Sequence, residues 1–113
     1  MEVKYCERVG GKGLFSTKKY FENNVIYTLS GEIKDKPDKY TIEVGENKHI
    51  TDKLGIYMNH SFDPSIKIQG LCVISLKNIE PGDEICFNYN DSETSMCCPF
   101  ETPEGLVYGK IKQ

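Results

Sequence analysis

The stretch YMNHSFDPS, residues 57–65, leads from apolar residues into a polar cluster and then into a turn. Apolar residues that run into Asn59, His60 and Ser61 indicate a chain that leaves the core and reaches a polar site. Asp63-Pro64, in contrast, is an ordinary turn signal. The stretch is therefore either a capped loop or one half of a binding site.

Length and composition indicate one folded domain. The chain has 113 residues, of which 38% are hydrophobic, enough for a modest core and too many for a disordered chain. It contains no run of about 18 apolar residues, and the N-terminus lacks a charged region followed by an apolar one. We therefore expect an intracellular protein, cytoplasmic or nuclear, that neither spans a membrane nor is secreted.

The charge and the cysteines exclude further classes. A net charge of −3 and a pI near 5.4 argue against direct nucleic-acid binding by bulk electrostatics and are compatible with a basic partner. The odd number of cysteines lacks the spacing of a disulfide framework, and Cys97-Cys98 cannot form a CxxC metal clamp. Reduced thiols are expected at all five positions: Cys6, Cys72, Cys86, Cys97 and Cys98.

Short β-prone runs, separated by Gly, Pro, Asn and Asp, predict a mostly β domain. Several have β-branched or aromatic residues at alternate positions. Only residues 52–58 resemble a helical turn, so the functional site must be built largely from loops. The predicted strands are 2–8, 14–16, 25–29, 40–44, 66–68, 71–75 and 84–88.

Two glycine motifs in the first third of the chain are, by themselves, weak evidence for a ligand-binding site. GGKGLFS, residues 10–16, has glycines that would let the main chain approach a ligand closely, but it lacks the lysine-threonine ending of a P-loop. Taken alone, the motif is explained more simply as an ordinary glycine turn. LSGEI, residues 29–33, is typical of a turn between strands.

EPGDEICFNYND, residues 80–91, predicts a Pro-Gly turn that leads into a strand. Alternation places Ile85 and Phe87 on one face and Cys86 and Asn88 on the other. The strand ends at Tyr89, and a single Tyr at a strand end is more often a packing residue than a reactive one.

Together and in this order, the motifs resemble the SET domain, a family of protein-lysine methyltransferases. The resemblance spans residues 5–90, and its specific parts are Asn59-His60-Ser61 with Asp63-Pro64, and Gly82-Asp83-Glu84 leading to Phe87-Asn88-Tyr89. It implies a β-clip-like fold of small curved sheets with a C-terminal pseudoknot, which brings the two specific parts together. The domain core would be residues 1–90, followed by a short tail at 91–113.

The resemblance also implies the cofactor S-adenosylmethionine, which leaves as S-adenosylhomocysteine. Asn59 and His60 would hold it, together with main-chain groups of the glycine loop and an aromatic lid from the tail. The implied cofactor-binding residues are Lys12, Gly13, Leu14, Asn59, His60 and Phe100. No metal is expected, because the tail lacks the spaced cysteines of family members that bind zinc.

Tyr89 would be the catalytic residue that orients the substrate amine, and Phe87 would line the lysine channel. A Phe at this position of the family implies room for more than one methyl group. Leu29 stands where the family usually has an aromatic, so other tyrosines would complete the channel. They are Tyr27, Tyr40 and Tyr57.

The expected partner is a protein or peptide with a target lysine, such as a histone tail. The resemblance to minimal SET proteins of viruses, which are dimers, also implies a homodimer. The alternative function is a catalytically silent SET-like module that binds peptide or cofactor. A third reading, a small β interaction domain that matches the motifs by accident, predicts no cofactor binding.

Overall fold

The computed structural model describes residues 1–37, 41–92, 100–102 and 105–107. The predicted channel residue Tyr40 therefore lies outside the described residues. The strands are β1 (Glu2–Cys6), β2 (Gly11–Phe15), β3 (Val25–Thr28), β4 (Glu32–Lys34), β5 (Ile42–Gly45), β6 (Lys48–Thr51), β7 (Asn59–His60), β8 (Ile66–Gln69), β9 (Cys72–Ser75), β10 (Cys86–Phe87), β11 (Phe100–Thr102) and β12 (Gly105–Val107). A 3-10 helix covers Gly55–Tyr57, and one helical turn, α1, covers Tyr89–Ser92.

Within the described part of the chain, the strands form five small sheets. Three are pairs: β1 with β2, β11 with β12, and β7 with β10. The other two have three strands each, in the orders β3-β9-β8 and β4-β6-β5. The predicted mostly β fold of small sheets is confirmed.

Burial along the strands explains why these short segments fold. In β9, Val73 and Ser75 are buried while the residues between and before them are partly exposed, the period of two that a half-buried strand requires. In β6, neighbouring His49 and Ile50 are both buried, so this central strand is covered on both faces. Four of the sheets, those that contain β2, β6, β9 and β10, contribute residues to a shared core, which consists of Leu14, Leu29, Ile42, Ile50, Met58, Ile66, Val73, Ile79, Ile85 and Phe87.

Asp52 holds the turn that enters the site. Its buried carboxylate accepts hydrogen bonds from the backbone N–H groups of Ser30, Leu54 and Gly55, at 2.7 to 2.8 Å. It also accepts one from the Tyr27 hydroxyl, at 2.9 Å. A buried carboxylate requires such a set of donors. Asp52 therefore ties β3 to the 3-10 helix that precedes Asn59.

Several sequence-based boundaries are wrong. The predicted strand 2–8 ends at Cys6, whose carbonyl accepts from the N–H groups of Val9 and Gly10 and so closes a turn. Gly10, with φ +67°, makes that turn, but Gly11 already belongs to β2, so GGKG is only partly a turn. In place of the predicted strand 40–44, the structure has β5, which begins at Ile42 and ends at Gly45.

The predicted strand 84–88 shortens to Cys86–Phe87, and Tyr89 begins α1. Ile85, Cys86 and Phe87 are all buried, so both of the faces that the alternation predicts are covered. Burial therefore does not alternate along this segment, as is typical of strands that are enclosed on both sides. The strands that the sequence analysis missed are β4, β6, β7, β11 and β12.

Candidate active site

A short parallel pairing of β7 with β10 forms the frame of the site. Asn59 lies opposite Cys86, and His60 lies opposite Phe87. The N–H of Ser61 continues the ladder to the Phe87 carbonyl at 3.0 Å. The two motifs singled out in the sequence are therefore adjacent, although the pseudoknot itself stays a prediction.

His60 connects this frame to Tyr89. Its Nδ1 accepts a hydrogen bond from the Tyr89 backbone N–H at 3.1 Å. In a neutral imidazole only one nitrogen accepts, so this bond assigns the ring proton to Nε2. The bond also satisfies one of the N–H groups that a helix start leaves without an intrahelical partner. His60 thus holds the backbone of α1 at its first residue.

The Tyr89 hydroxyl donates a hydrogen bond to the Met58 carbonyl at 2.6 Å. The Tyr89 ring packs against Phe87, with ring centroids 4.7 Å apart, and against His60 at 5.3 Å. His60 in turn meets the edge of Phe62 at 4.4 Å. These four rings, which we call the aromatic cluster, give the site an apolar wall of fixed shape.

Asn59 reaches across to the β1–β2 hairpin. Its Nδ2 donates to the Lys12 carbonyl at 3.0 Å and to Glu84 Oε2 at 3.2 Å. A Cβ at position 13 would lie only 3.0 Å from Asn59 Nδ2 and 3.0 Å from the Cys6 Cβ. Gly13 is therefore required by the close approach of Asn59 to the hairpin.

Arg8 and Glu84 lie beside the contact between Asn59 and the β1–β2 hairpin and add hydrogen bonds to it. Arg8 Nε and Nη2 lie 3.0 and 2.9 Å from Glu84 Oε1, and Arg8 Nη1 donates to the His60 carbonyl at 3.0 Å. Burial lowers the pKa of Arg8, but the hydrogen bond and charge of Glu84 outweigh it and raise the pKa overall. The sequence analysis gave neither residue a role. Glu84 could have been found from the sequence, since it belongs to the motif at residues 80–91, but no sequence feature pointed to Arg8.

A cleft of about 450 Å³ opens beside this pair. Its lining includes Arg8, Glu84 and Ser61, and also Lys77 and Asp63, which form an ion pair at 3.4 Å. Ser61 directly follows β7, so the cleft lies next to the end of that strand.

The other predicted residues lie as follows. Leu14 is buried in the core, and its carbonyl accepts from the Ile85 N–H at 2.8 Å. Tyr57 lies in the 3-10 helix, with the Lys12 ammonium 6.0 Å from its ring centroid. Tyr27 lies in another sheet, with its hydroxyl on Asp52. Phe100 belongs to β11, but its side chain lies outside what the structure describes.

Among the residues that the structure describes, no group of three or more His, Cys, Asp or Glu is arranged to hold a metal ion. Cys97 and Cys98 lie outside them, so the expectation of no metal stays a prediction. No helix in the described ranges is long and apolar enough to span a membrane.

The family model of the SET domain matches residues 11–90. The chain therefore belongs to the SET-domain family, and the identification made from its motifs is confirmed. Among solved structures it is similar to that of a Plasmodium falciparum protein described as a candidate histone methyltransferase, with a TM-score of 0.62 and 22% sequence identity. The likeness covers 78% of this chain and 90% of that one. None of the curated proteins compared with the chain matches it significantly.

Proposed function

We propose that the protein is a protein-lysine N-methyltransferase that uses S-adenosylmethionine. The observation that carries the proposal is the junction of Asn59 and His60 with Tyr89, through the β7–β10 pairing and the His60 Nδ1 bond. These residues match the family's cofactor and catalytic positions. Membership of the SET family supports the reaction class.

The residues present fit the cofactor. Gly13 lets the main chain of β2 lie against the Asn59 side chain at a distance that a Cβ would not allow, so the glycine loop and Asn59 belong to one site. The Asn59 amide and the main chain around Lys12 and His60 would hold the methionine and adenosine parts, and Phe100 would cover them. When bound, S-adenosylmethionine supplies an electrophilic methyl group on a sulfonium.

The chain must then present a neutral lysine amine. A lysine ammonium has a reference pKa of about 10.4, and desolvation lowers it because the charged form loses its hydration. The rings of Phe87 and Tyr89 provide the apolar surface that would exclude water from the amine. A channel completed by Tyr57, Tyr27 and Tyr40 would extend this effect along the lysine stem. Deprotonation then needs no dedicated base.

Tyr89 would orient the amine. Its only hydroxyl proton is donated to the Met58 carbonyl, a group that can only accept, so towards a substrate the phenol oxygen acts as an acceptor. An acceptor suits an amine that must direct its lone pair at the methyl carbon and its N–H bonds elsewhere. Alignment of this kind is worth roughly 7–11 kcal/mol in well-oriented reactions.

A basic protein tail is the proposed substrate. The chain has a net charge of −3, which favours a lysine-rich partner over nucleic acid. The similar Plasmodium protein is described as a candidate histone methyltransferase, which makes histone tails the first substrates to test. A homodimer and a cytoplasmic or nuclear location stay predictions from the sequence.

The decisive experiment combines binding and transfer. Calorimetric titration with S-adenosylmethionine should show saturable binding, and incubation of the labelled cofactor with histones should label lysine. Binding without transfer to histones or to proteins of a cell lysate would favour the catalytically silent module. Absence of both would contradict the proposed function.

A further inference from the structure

Glu84 occupies a position between two cofactor-side elements. Its side chain is 14% exposed, and its two oxygens have different partners. Oε1 accepts from Arg8 on the β1–β2 turn, and Oε2 accepts from Asn59 on β7. The carboxylate therefore joins the hairpin to the strand that carries the site.

The two acceptors around Asn59 determine how its amide is oriented. A backbone carbonyl and an ionised carboxylate can only accept, so both the Lys12 carbonyl and Glu84 require the NH₂ end of the amide. An amide nitrogen has two N–H bonds, and these two partners account for both. The opposite orientation would place Oδ1 against two acceptors. Asn59 is thus left with Oδ1 as the group that can meet a ligand.

We propose that Glu84 is a positioning residue that makes Asn59 a hydrogen-bond acceptor and so selects a donor on the ligand. The inference rests on the proposed function. Of the charged groups on the amino-acid part of S-adenosylmethionine, the ammonium can donate and the carboxylate cannot. Asn59 therefore recognises the ammonium, and Glu84 contributes to affinity without touching the cofactor.

Glutamine cannot reproduce this arrangement. It has nearly the same shape as Glu84, but it offers one acceptor oxygen and one NH₂ group. If the oxygen stays with Arg8, the NH₂ faces Asn59 and favours the flipped amide. If the oxygen turns to Asn59, the NH₂ faces the Arg8 guanidinium. Glu84→Gln therefore loses either the acceptor that orients Asn59 or the acceptor by which Arg8 holds residue 84 beside Asn59, with little change in side-chain volume.

The test compares two ligands that share the adenosine part. S-adenosylhomocysteine carries the ammonium, whereas 5′-methylthioadenosine lacks the whole amino-acid part. Glu84→Gln should lower the affinity for S-adenosylhomocysteine by about ten-fold or more, which is the scale of one hydrogen bond to a charged group. The affinity for 5′-methylthioadenosine should stay within about two-fold of the wild-type value. Glu80→Gln removes the same charge from an exposed residue of the adjoining turn and should change neither affinity.

The Asn59→Ala background provides a further control. There the amide is absent, so adding Glu84→Gln should not change the ratio of the two affinities again. Equal weakening of both ligands by Glu84→Gln, or no change in either, would overturn the inference while leaving the methyltransferase proposal intact. Failure of the wild type to bind either ligand would instead contradict the proposed function.

A measurement on the wild type covers the case in which Glu84→Gln does not fold. The Asn59 side-chain amide signals, identified by their loss in Asn59→Ala, should both be protected from hydrogen exchange before and after S-adenosylhomocysteine is added. Rapid exchange of either proton in the free protein would contradict the inference, because the amide would then not be held by Lys12 and Glu84.

Discussion

Nδ1 of His60 accepts the backbone N–H of Tyr89 across 3.1 Å, which links the residue of the cofactor motif directly to the catalytic candidate. The contact requires an unprotonated Nδ1, because a charged imidazolium donates from both ring nitrogens and has no acceptor. A change at position 60 should therefore act on Tyr89 through the helix start.

His60→Leu removes the acceptor and leaves the partly buried Tyr89 N–H without it. We expect a loss of about 1–3 kcal/mol of unfolding free energy and a large fall in methyl transfer. His60→Asn is the matched control, because its Oδ1 can occupy the place of Nδ1, so it should retain more of both properties. Thermal unfolding and labelled-methyl transfer measure the two effects. Equal damage from both variants would show that the imidazole ring, and not the acceptor, matters.

Tyr89→Phe removes the hydroxyl that donates to Met58 and would meet the amine. We expect transfer to fall by about 10²-fold or more, the scale of a small misplacement of reacting groups, while the affinity for S-adenosylmethionine stays largely unchanged. Asn59→Ala should show the converse, with weakened cofactor affinity. Turnover at saturating cofactor and calorimetry separate the two. The reverse pattern would mean that the two roles have been exchanged.

Gly13→Ala places a Cβ 3.0 Å from Asn59 Nδ2 and from the Cys6 Cβ. We expect it to cost about 1–3 kcal/mol of stability, as overpacking does, and to weaken cofactor binding because Asn59 must move. Gly11→Ala is the control in the same strand, since its Cβ would meet nothing within 4 Å. Denaturant unfolding and calorimetry provide the measurements. Similar losses in both variants would point to backbone entropy instead of the Asn59 contact.

Phe87→Tyr tests the channel. The Phe87 ring lies 4.7 Å from that of Tyr89, so an added hydroxyl would enter the region where a methylated amine must turn. We expect the wild type to form more than monomethyl-lysine and the variant to stop closer to it, with mass spectrometry of the product as the readout. An unchanged product distribution would remove the basis for this role.

Asp52 makes stability depend on pH. Burial raises the pKa of its carboxyl, but the N–H groups of Ser30, Gly55 and Leu54 and the Tyr27 hydroxyl outweigh this effect, so the pKa is lowered overall. A lowered folded pKa means that the contribution is present above the unfolded value of about 3.9 and is lost as the pH falls through the folded value. The unfolding free energy of the wild type should therefore fall as the pH is lowered. Asp52→Asn should be less stable at neutral pH, and its unfolding free energy should fall by less in acid. An acid decline of equal size in Asp52→Asn would exclude Asp52 as its source.

Burial, and then the hydrogen bond to Asp52, raise the pKa of the Tyr27 hydroxyl to about 12. A raised folded pKa stabilises the protonated phenol, so this contribution is present below the unfolded value of about 10 and is lost as the pH rises through about 12. Tyr27→Phe should remove this alkaline part of the profile.

The sequence by itself determined the family and named the candidate site residues, because residue identities and their order are local properties. Asn59, His60, Gly13 and Tyr89 could be named without coordinates. Mostly β structure also followed from short runs between turn residues. The strand β6 could not be found in this way, since KHIT begins with two polar residues and both of its edges are paired, with β4 and with β5, only in the folded chain.

The tertiary structure alone decided how these groups are held. Arg8 meets the His60 carbonyl only when the β1–β2 turn closes against β7, and Glu84 meets Asn59 only through the β7–β10 pairing. Asp52 likewise gathers donors from two separate segments. Periodicity and turn signals report on neighbours along the chain, whereas the polarity of the Asn59 amide depends on acceptors brought together from distant positions.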